Sequence, residues 1–411
     1  MSVKVEKWRR NNPSPRGDFN SVAISADGSK VVGGTIYFND DGLIPLETTG
    51  IFAWDGNGTL LWQDTDQVSA IPDWRAGVES VAIAKDGSWS ASGGLSEPSK
   101  GFVHVYDAAG NKTSLLTPPR AVTGVALSGD GKYLVAGADV LYVFQRNGNV
   151  WGPPSATIAN PAGVVRRVAI SDDGQWIATS IDNGRTSLVR NQLATGGAVT
   201  LVGDWKIPVP KKWVQHIAMA GDGSAYAAAG ADGKLYYFDI AATVQSGTLT
   251  PRWEHSGSGA GSGKTTCRWA AISQDGSHVA TAFSFDPNPQ QPDTRQRGKV
   301  HFLQNVKNPR PGGKKFKKLW TGNKDTAFSP NAISLGQKSN GAYYIGAADG
   351  MQITKGGFYL FDGANGDSMW GIQPHHHFPT TDMNYTVAMS ADGTAAVGGS
   401  NDGHVYFFVV P

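Results

Sequence analysis

One short phrase recurs along this chain and governs what it can fold into: Val-Ala-x-Ser-x-Asp-Gly. The clearest copy is the last, Val387-Ala388-Met389-Ser390-Ala391-Asp392-Gly393. A small apolar run at 395–399 follows, then Asn401-Asp402-Gly403, then the aromatic run at 404–409. Three apolar segments are therefore separated by two Asp-Gly turns. Each segment fits a buried strand, and Asp-Gly between such segments is the strongest local hairpin signal. Glycine returns too often for any 3.6-residue period to survive, so helices are not expected here.

Earlier copies of the phrase begin at Val22, Val81, Val125, Val168, Ile217 and Ala270. A degenerate copy, Asn331-Ala332-Ile333-Ser334, ends in a longer turn at Asn340-Gly341. The spacing of roughly 40–60 residues, with several strands per unit, predicts an all-β, eight-bladed β-propeller. Third strands are read at 50–54, 102–106, 141–144, 235–238, 300–303 and 358–361, and more weakly at 186–189. Fourth strands are marked by Trp62, Trp205, Trp253, Trp320 and Trp370, with Leu115-Leu116 and Trp151 in looser positions. An orphan copy of that fourth strand, Val5-Glu6-Lys7-Trp8, opens the chain, which ends after a third strand. An open ring would leave a sheet edge exposed at its seam. Pairing of 5–8 with 404–409 would close the ring and give eight four-stranded antiparallel blades in one domain, 1–411. Seven blades follow instead if the degenerate unit is an insertion.

Composition narrows the function classes. A chain of 411 residues is long for one ordinary core but not for stacked repeats. Its 53 glycines and 13 tryptophans suit tight turns and aromatic strands. A single cysteine, Cys267, excludes an intrachain disulfide, a zinc ribbon and a paired-cysteine redox centre. The net charge of +2 gives no argument for nucleic acid. No stretch reaches the ~18 apolar residues of a membrane helix. The absence of an apolar segment behind Met1 points to the cytoplasm. A mature periplasmic or secreted chain given a new start Met would read the same.

The phrase and its turns resemble those of WD40-like β-propellers, over nearly the whole chain, although the usual Gly-His and Trp-Asp dipeptides are absent. Phe361-Asp362-Gly363-Ala364-Asn365-Gly366-Asp367-Ser368-Met369-Trp370 is similar to the tryptophan docking pattern of quinoprotein-like propellers. A shorter form ends at Trp62. The resemblance implies architecture; unrelated functions share it.

Four stretches could carry chemistry. The run at 256–266, ending Gly263-Lys264-Thr265-Thr266, has the look of a phosphate loop. Ser258 stands where its first glycine belongs and a strand follows, so a flexible loop is the better reading. His375-His376-His377 offers imidazoles, but neighbours on a strand point to opposite sides. His375 and His377 are thus weak metal candidates, and no metal or cofactor is expected. A basic run spans Lys307, Arg310, Lys314, Lys315, Lys317 and Lys318; without interleaved aromatics it reads as a solvated edge.

The fourth set is the residues just before each innermost strand: Asn20, Glu79, Thr123, Arg166, Gln215, Arg268 and Tyr385, followed by Arg167, His216 and Trp269. In a propeller these ring the channel mouth. A purely structural position would repeat one residue type, as the Asp-Gly turns do. The variety here suits a pocket. Glu79, Arg166, Arg167, His216, Arg268, Trp269 and Tyr385 are the candidate ligand residues. The expected function is non-catalytic binding or scaffolding, with a partner protein or small anionic ligand at the mouth. An enzyme remains the alternative: a lyase or hydrolase with His216 as acid or base and Arg166 or Arg268 clamping an anion. A quinone-dependent dehydrogenase is a weaker one, since the adjacent cysteines of such sites cannot form around Cys267 alone.

Overall fold

The computed structural model describes residues 6–11, 17–38, 46–69, 75–97, 99–159, 163–257, 265–285, 297–307, 309–310, 313–322, 330–351, 354–366 and 384–410; for some residues at strand ends, Arg297 and Tyr385 among them, the backbone alone is described. The chain is all-β with one α-helix among these residues. Its sheets are antiparallel and most of them four-stranded; in several, hydrogen-bonded neighbours follow one another in sequence order.

The recurring phrase explains its own turn. In five units the serine hydroxyl donates to the aspartate two residues on: Ser25–Asp27, Ser128–Asp130, Ser171–Asp173, Ser273–Asp275 and Ser390–Asp392, at 2.6–2.8 Å. The aspartate accepts the backbone N–H two residues further, as Asp27 does from Ser29 and Asp392 from Thr394. The glycine then takes a left-handed conformation, with φ of 66° at Gly393. Inner strands pack through small residues. A Cβ on Gly398 would lie 2.2 Å from the Phe358 ring of the preceding sheet.

The strand Glu6–Asn11 pairs with His404–Val409, as expected from the offset of the repeats, with Trp8 opposite Phe407. Trp8 is 6% exposed and stacks on Phe407 at 5.1 Å. It shares a core cluster with Phe19, Val31, Phe52 and Trp54 of the first unit. The degenerate unit forms a true sheet, Pro330–Gln337 with Tyr343–Met351 and Thr354–Asp362. Trp370, where its fourth strand was expected, and Val5 lie outside the described residues.

Three features differ from the sequence reading. Lys30–Phe38 runs on past its own sheet, and Ile36–Phe38 pair with residues 75–77, so the first two units form one eight-stranded sheet. The third unit's outer strand is split into Val150–Trp151 and Ala156–Ile158, which pair with opposite ends of Leu141–Asn147. A helix, Ile240–Ser246, starts where Asp239 accepts from the Ala242 N–H and stops at left-handed Gly247. Aspartate cap and glycine stop are visible in the sequence, but the seven residues between them are too few for a periodic signal.

Neighbouring units are tied by backbone bonds at the end of the innermost strands. The residue after the serine position carries most of them. Ala26 N–H donates to Lys85 O, Lys85 to Gly129, Gly129 to Asp172 and Asp172 to Gly221. Asp222 donates to Gln274, Gln337 to Ala391, and Asp392 back to Ala26.

Candidate functional site

At the other end of the innermost strands a repeated irregularity sets the side chains. The ladder slips by one residue between Phe19 and Ser21, Val78 and Ser80, Val165 and Arg167, and Val214 and His216. It slips again between Cys267 and Trp269, Pro330 and Ala332, and Asn384 and Thr386. The skipped residues are Asn20, Glu79, Arg166, Gln215, Arg268, Asn331 and Tyr385, the varied positions picked from the sequence plus Asn331. In the third unit Thr123 donates to Gly137, which also opposes Gly124. A bulge leaves one residue out of the ladder and re-aims its neighbours, so the variety sits where the backbone frees a side chain from sheet pairing.

These strand ends enclose a cavity of about 360 Å³ to which every one of the eight units contributes. Glu79, Arg167, Gln215, His216, Arg268 and Trp269 line it, with Asn20 and Asn331. Arg166 does not; its side chain is exposed and its carbonyl accepts from Thr123 Oγ1 at 2.8 Å. Tyr385 has only its backbone described, in the strand Asn384–Met389 beside the lining residue Thr386. Asn331 escaped the sequence reading because its repeat is degenerate.

The site is held firmly. Arg167 Nη1 donates to Thr123 O at 2.8 Å, and Arg268 Nε to Ser284 Oγ at 2.7 Å. Asn20 Nδ2 donates to Glu79 O at 3.0 Å, tying the first two units. The His216 and Trp269 rings stack at 3.7 Å, tilted 18°, and Arg167 Cζ lies 5.8 Å from the Trp269 centroid. Burial, then the Arg167 charge, holds the His216 imidazole well below its ordinary range, against the opposing effect of a hydrogen bond the ring donates to the Ala270 backbone carbonyl. His216 is therefore neutral near pH 7, with no imidazolium to serve as a general acid. Its Nδ1 is buried with no hydrogen-bond partner among the described residues. Two guanidiniums, one carboxylate and a neutral imidazole on an aromatic shelf can bind and orient a charged ligand.

The opposite end of the channel holds residues the sequence reading passed over. Lys85 Nζ donates to Asp172 Oδ2 at 2.5 Å and to Gln274 Oε1 at 3.0 Å, and Gln274 Nε2 donates to Asp172. All three occupy the variable place inside Ser-x-Asp-Gly, and that variability was the available signal. The basic run is exposed from Lys314 to Lys318 save for half-buried Phe316, on the outer strand Phe316–Gly322 and the turn before it. His375, His377 and Lys264 lie outside the described residues. Among the described residues no three His, Cys, Asp or Glu side chains gather as a metal site. Among them, too, no helix is long and apolar enough to cross a membrane.

Solved structures share this architecture. The Cps50 (Swd1) β-propeller domain of Myceliophteria thermophila superposes with a TM-score of 0.54 at 12% identity, covering 81% of this chain and 96% of that one. A chain of the mitotic checkpoint complex gives 0.55 at 15% identity, covering 81% and 87%. The fold is that of a β-propeller. No family model matches the propeller's sequence, and no curated protein does. At such identities the propeller's likeness carries the fold alone.

Proposed function

We propose that this protein is a closed, eight-bladed binding propeller without catalytic activity, which holds a partner protein or small ligand by an anionic group in the channel-mouth cavity. The observation that carries the reading is the single cavity lined from all eight units, with Arg167 and Arg268 in its wall. Pairing of Glu6–Asn11 with His404–Val409, and the backbone bonds from Ala26 through to Gln274 and from Gln337 through Ala391 and Asp392 back to Ala26, support eight blades and a closed ring. A concave mouth with low-dielectric walls concentrates the field of those guanidiniums although the whole chain is nearly neutral. The two solved neighbours, one a component of a multi-protein complex by its description, accord with a scaffolding role.

Selection from a random peptide display library tests this. Peptides bound by the wild-type protein should be enriched in Asp and Glu, should keep binding to Arg310→Ala, and should be lost on Arg268→Ala. Enrichment without acidic residues, or indifference to Arg268→Ala, would contradict it.

A further inference from the structure

Beside the cavity, on the same face, one connection between units is apolar, basic and exposed. Between the strands Val199–Lys206 and Val214–Met219 the chain reads Ile207-Pro208-Val209-Pro210-Lys211-Lys212-Trp213. Buried Ile207 and Val214 anchor its two ends in one core cluster. Both arms meet at Gly184: its carbonyl accepts the Ile207 N–H at 2.9 Å, and a Cβ on it would lie 2.2 Å from Lys212 O. The Trp213 carbonyl accepts the Ala231 N–H at 2.9 Å. Two prolines fix φ within the span. Lys211 holds a left-handed φ of 58° although it is not glycine, a conformation that persists only where the surroundings impose it.

The backbone is thus pinned while side chains stay in water. Trp213 is 47% exposed, the one exposed tryptophan among the described residues, and Val209 is 40% exposed. Pro208, Pro210, Lys206 and Lys211 are exposed as well. Tryptophan is highly buried on average. One held out on a rigid backbone loses little entropy when a partner covers it, which is what an interface anchor requires.

Charge selects the partner. The side chains of Lys206, Lys211 and Lys212 make no hydrogen bond or ion pair among the described residues. The carboxylates of the adjoining turns and strand are engaged: Asp204 with Arg185, Asp182 with the Val164 N–H, and Asp232 with the Tyr236 hydroxyl. The loop therefore offers uncompensated positive charge around an aromatic surface, which complements an acidic segment. It also runs straight into the cavity. Gln215, in the cavity wall, follows Trp213 by two residues, at most about 7 Å of chain.

A free small anion would fill the cavity and leave Trp213 in water. An anionic bilayer would meet the loop, but one tryptophan and three lysines bind such a surface only marginally, and a flat bilayer leaves a concave cavity unused. A polypeptide occupies both. Resting on the anion-binding reading above, we infer that the occupant of the mouth is an acidic segment of a partner protein. It places one carboxylate in the cavity and seats a neighbouring aromatic or aliphatic residue on Trp213 and Val209, with further acidic side chains against Lys206, Lys211 and Lys212.

Peptides selected on the full wild-type chain from a random display library, synthesised with a fluorophore and titrated by anisotropy, test the inference. They should carry an aromatic or aliphatic residue close to their acidic ones. Trp213→Ser should weaken them about tenfold or more, as loss of an interface anchor does. Lys211→Asn, which keeps a residue tolerant of the left-handed conformation, combined with Lys206→Gln, should weaken them severalfold and reduce the dependence on salt. Melting curves establish that each variant is folded. Indifference to Trp213→Ser, with loss on Arg268→Ala, would overturn the docking loop and leave the anion site standing. Loss on Trp213→Ser, with indifference to Arg268→Ala, would contradict the cavity reading and overturn the combined seat with it. A library that yields no binder would overturn both. Co-sedimentation with phosphatidylserine vesicles that Trp213→Ser abolishes, in a protein that captures no peptide, would make the loop a membrane contact and overturn the inference.

Discussion

Lys85 Nζ lies 2.5 Å from Asp172 Oδ2, joining the second unit of the ring to the fourth across the end of the channel remote from the mouth. Gln274 of the sixth unit bonds to both. Backbone bonds already hold the turns that carry these residues, and both charged partners remain about a third exposed. Lys85→Met should therefore lower stability by no more than about 1 kcal/mol, read from urea unfolding. It should leave ligand affinity at the mouth unchanged. A larger loss would mean that the side-chain crossing, rather than the backbone ties, holds the ring.

Trp8 anchors the pairing of Glu6–Asn11 with His404–Val409. Its indole stacks on Phe407 and lies 6.2 Å from the Trp54 centroid, with Nε1 donating to Gly56 O. Trp8→Ala should cost about 3–5 kcal/mol, and deletion of residues 1–9 should cost at least as much by exposing the edge of His404–Val409. An unchanged melting temperature for the deletion would reject the two-ended blade.

Gly393 has φ of 66°, and an added Cβ would meet the Gln337 and Lys338 backbone at 3.1 Å. Gly393→Val should destabilise the protein by more than about 1 kcal/mol, measured by chemical denaturation. Binding at the mouth, at the opposite end of the strand, should persist.

The Asp-Gly turns make stability fall in acid. The Ser29 backbone N–H, aided by the Ser25 and Ser29 hydroxyls, holds Asp27 below its ordinary 3.8, against mild desolvation. For Asp275, desolvation pushes upward, but hydrogen bonds from Ser277 and Ser273 outweigh it. A carboxylate depressed in the folded state stabilises fully above its unfolded value, and that contribution is lost as pH falls through the folded one. Stability should hold down to pH near 4 and drop below it, and Asp27→Asn should flatten that part of the curve. A flat acid limb in the wild type would contradict the turn chemistry.

Much of the fold was legible because the same turn is written many times. Serine, aspartate and glycine each have one mechanical role there, so repetition in sequence is repetition in space. Trp8 was legible from the phase of the repeats alone. The mouth was legible for the complementary reason: bulged positions such as Glu79 and Arg268 vary because no ladder partner restricts them. The joining of the first two units through Ile36–Phe38 was hidden, since an extended run looks alike whether it pairs within its unit or beyond it. The exposure of Arg166 was hidden too. It and Arg167 are adjacent, and only the slip of the ladder decides which one reaches the cavity.

The channel mouth is tested most directly by titrating one acidic peptide, taken from the display selection, against Arg268→Ala and Arg310→Ala at two salt concentrations. Arg268→Ala should weaken binding by about 1.5–3 kcal/mol, as a shielded charge-assisted contact does, and Arg310→Ala, in the exposed basic run outside the mouth, should change it little. The reverse order, with affinity falling steeply as salt screens exposed charge, would place docking on the lysines from Lys314 to Lys318 and contradict the account.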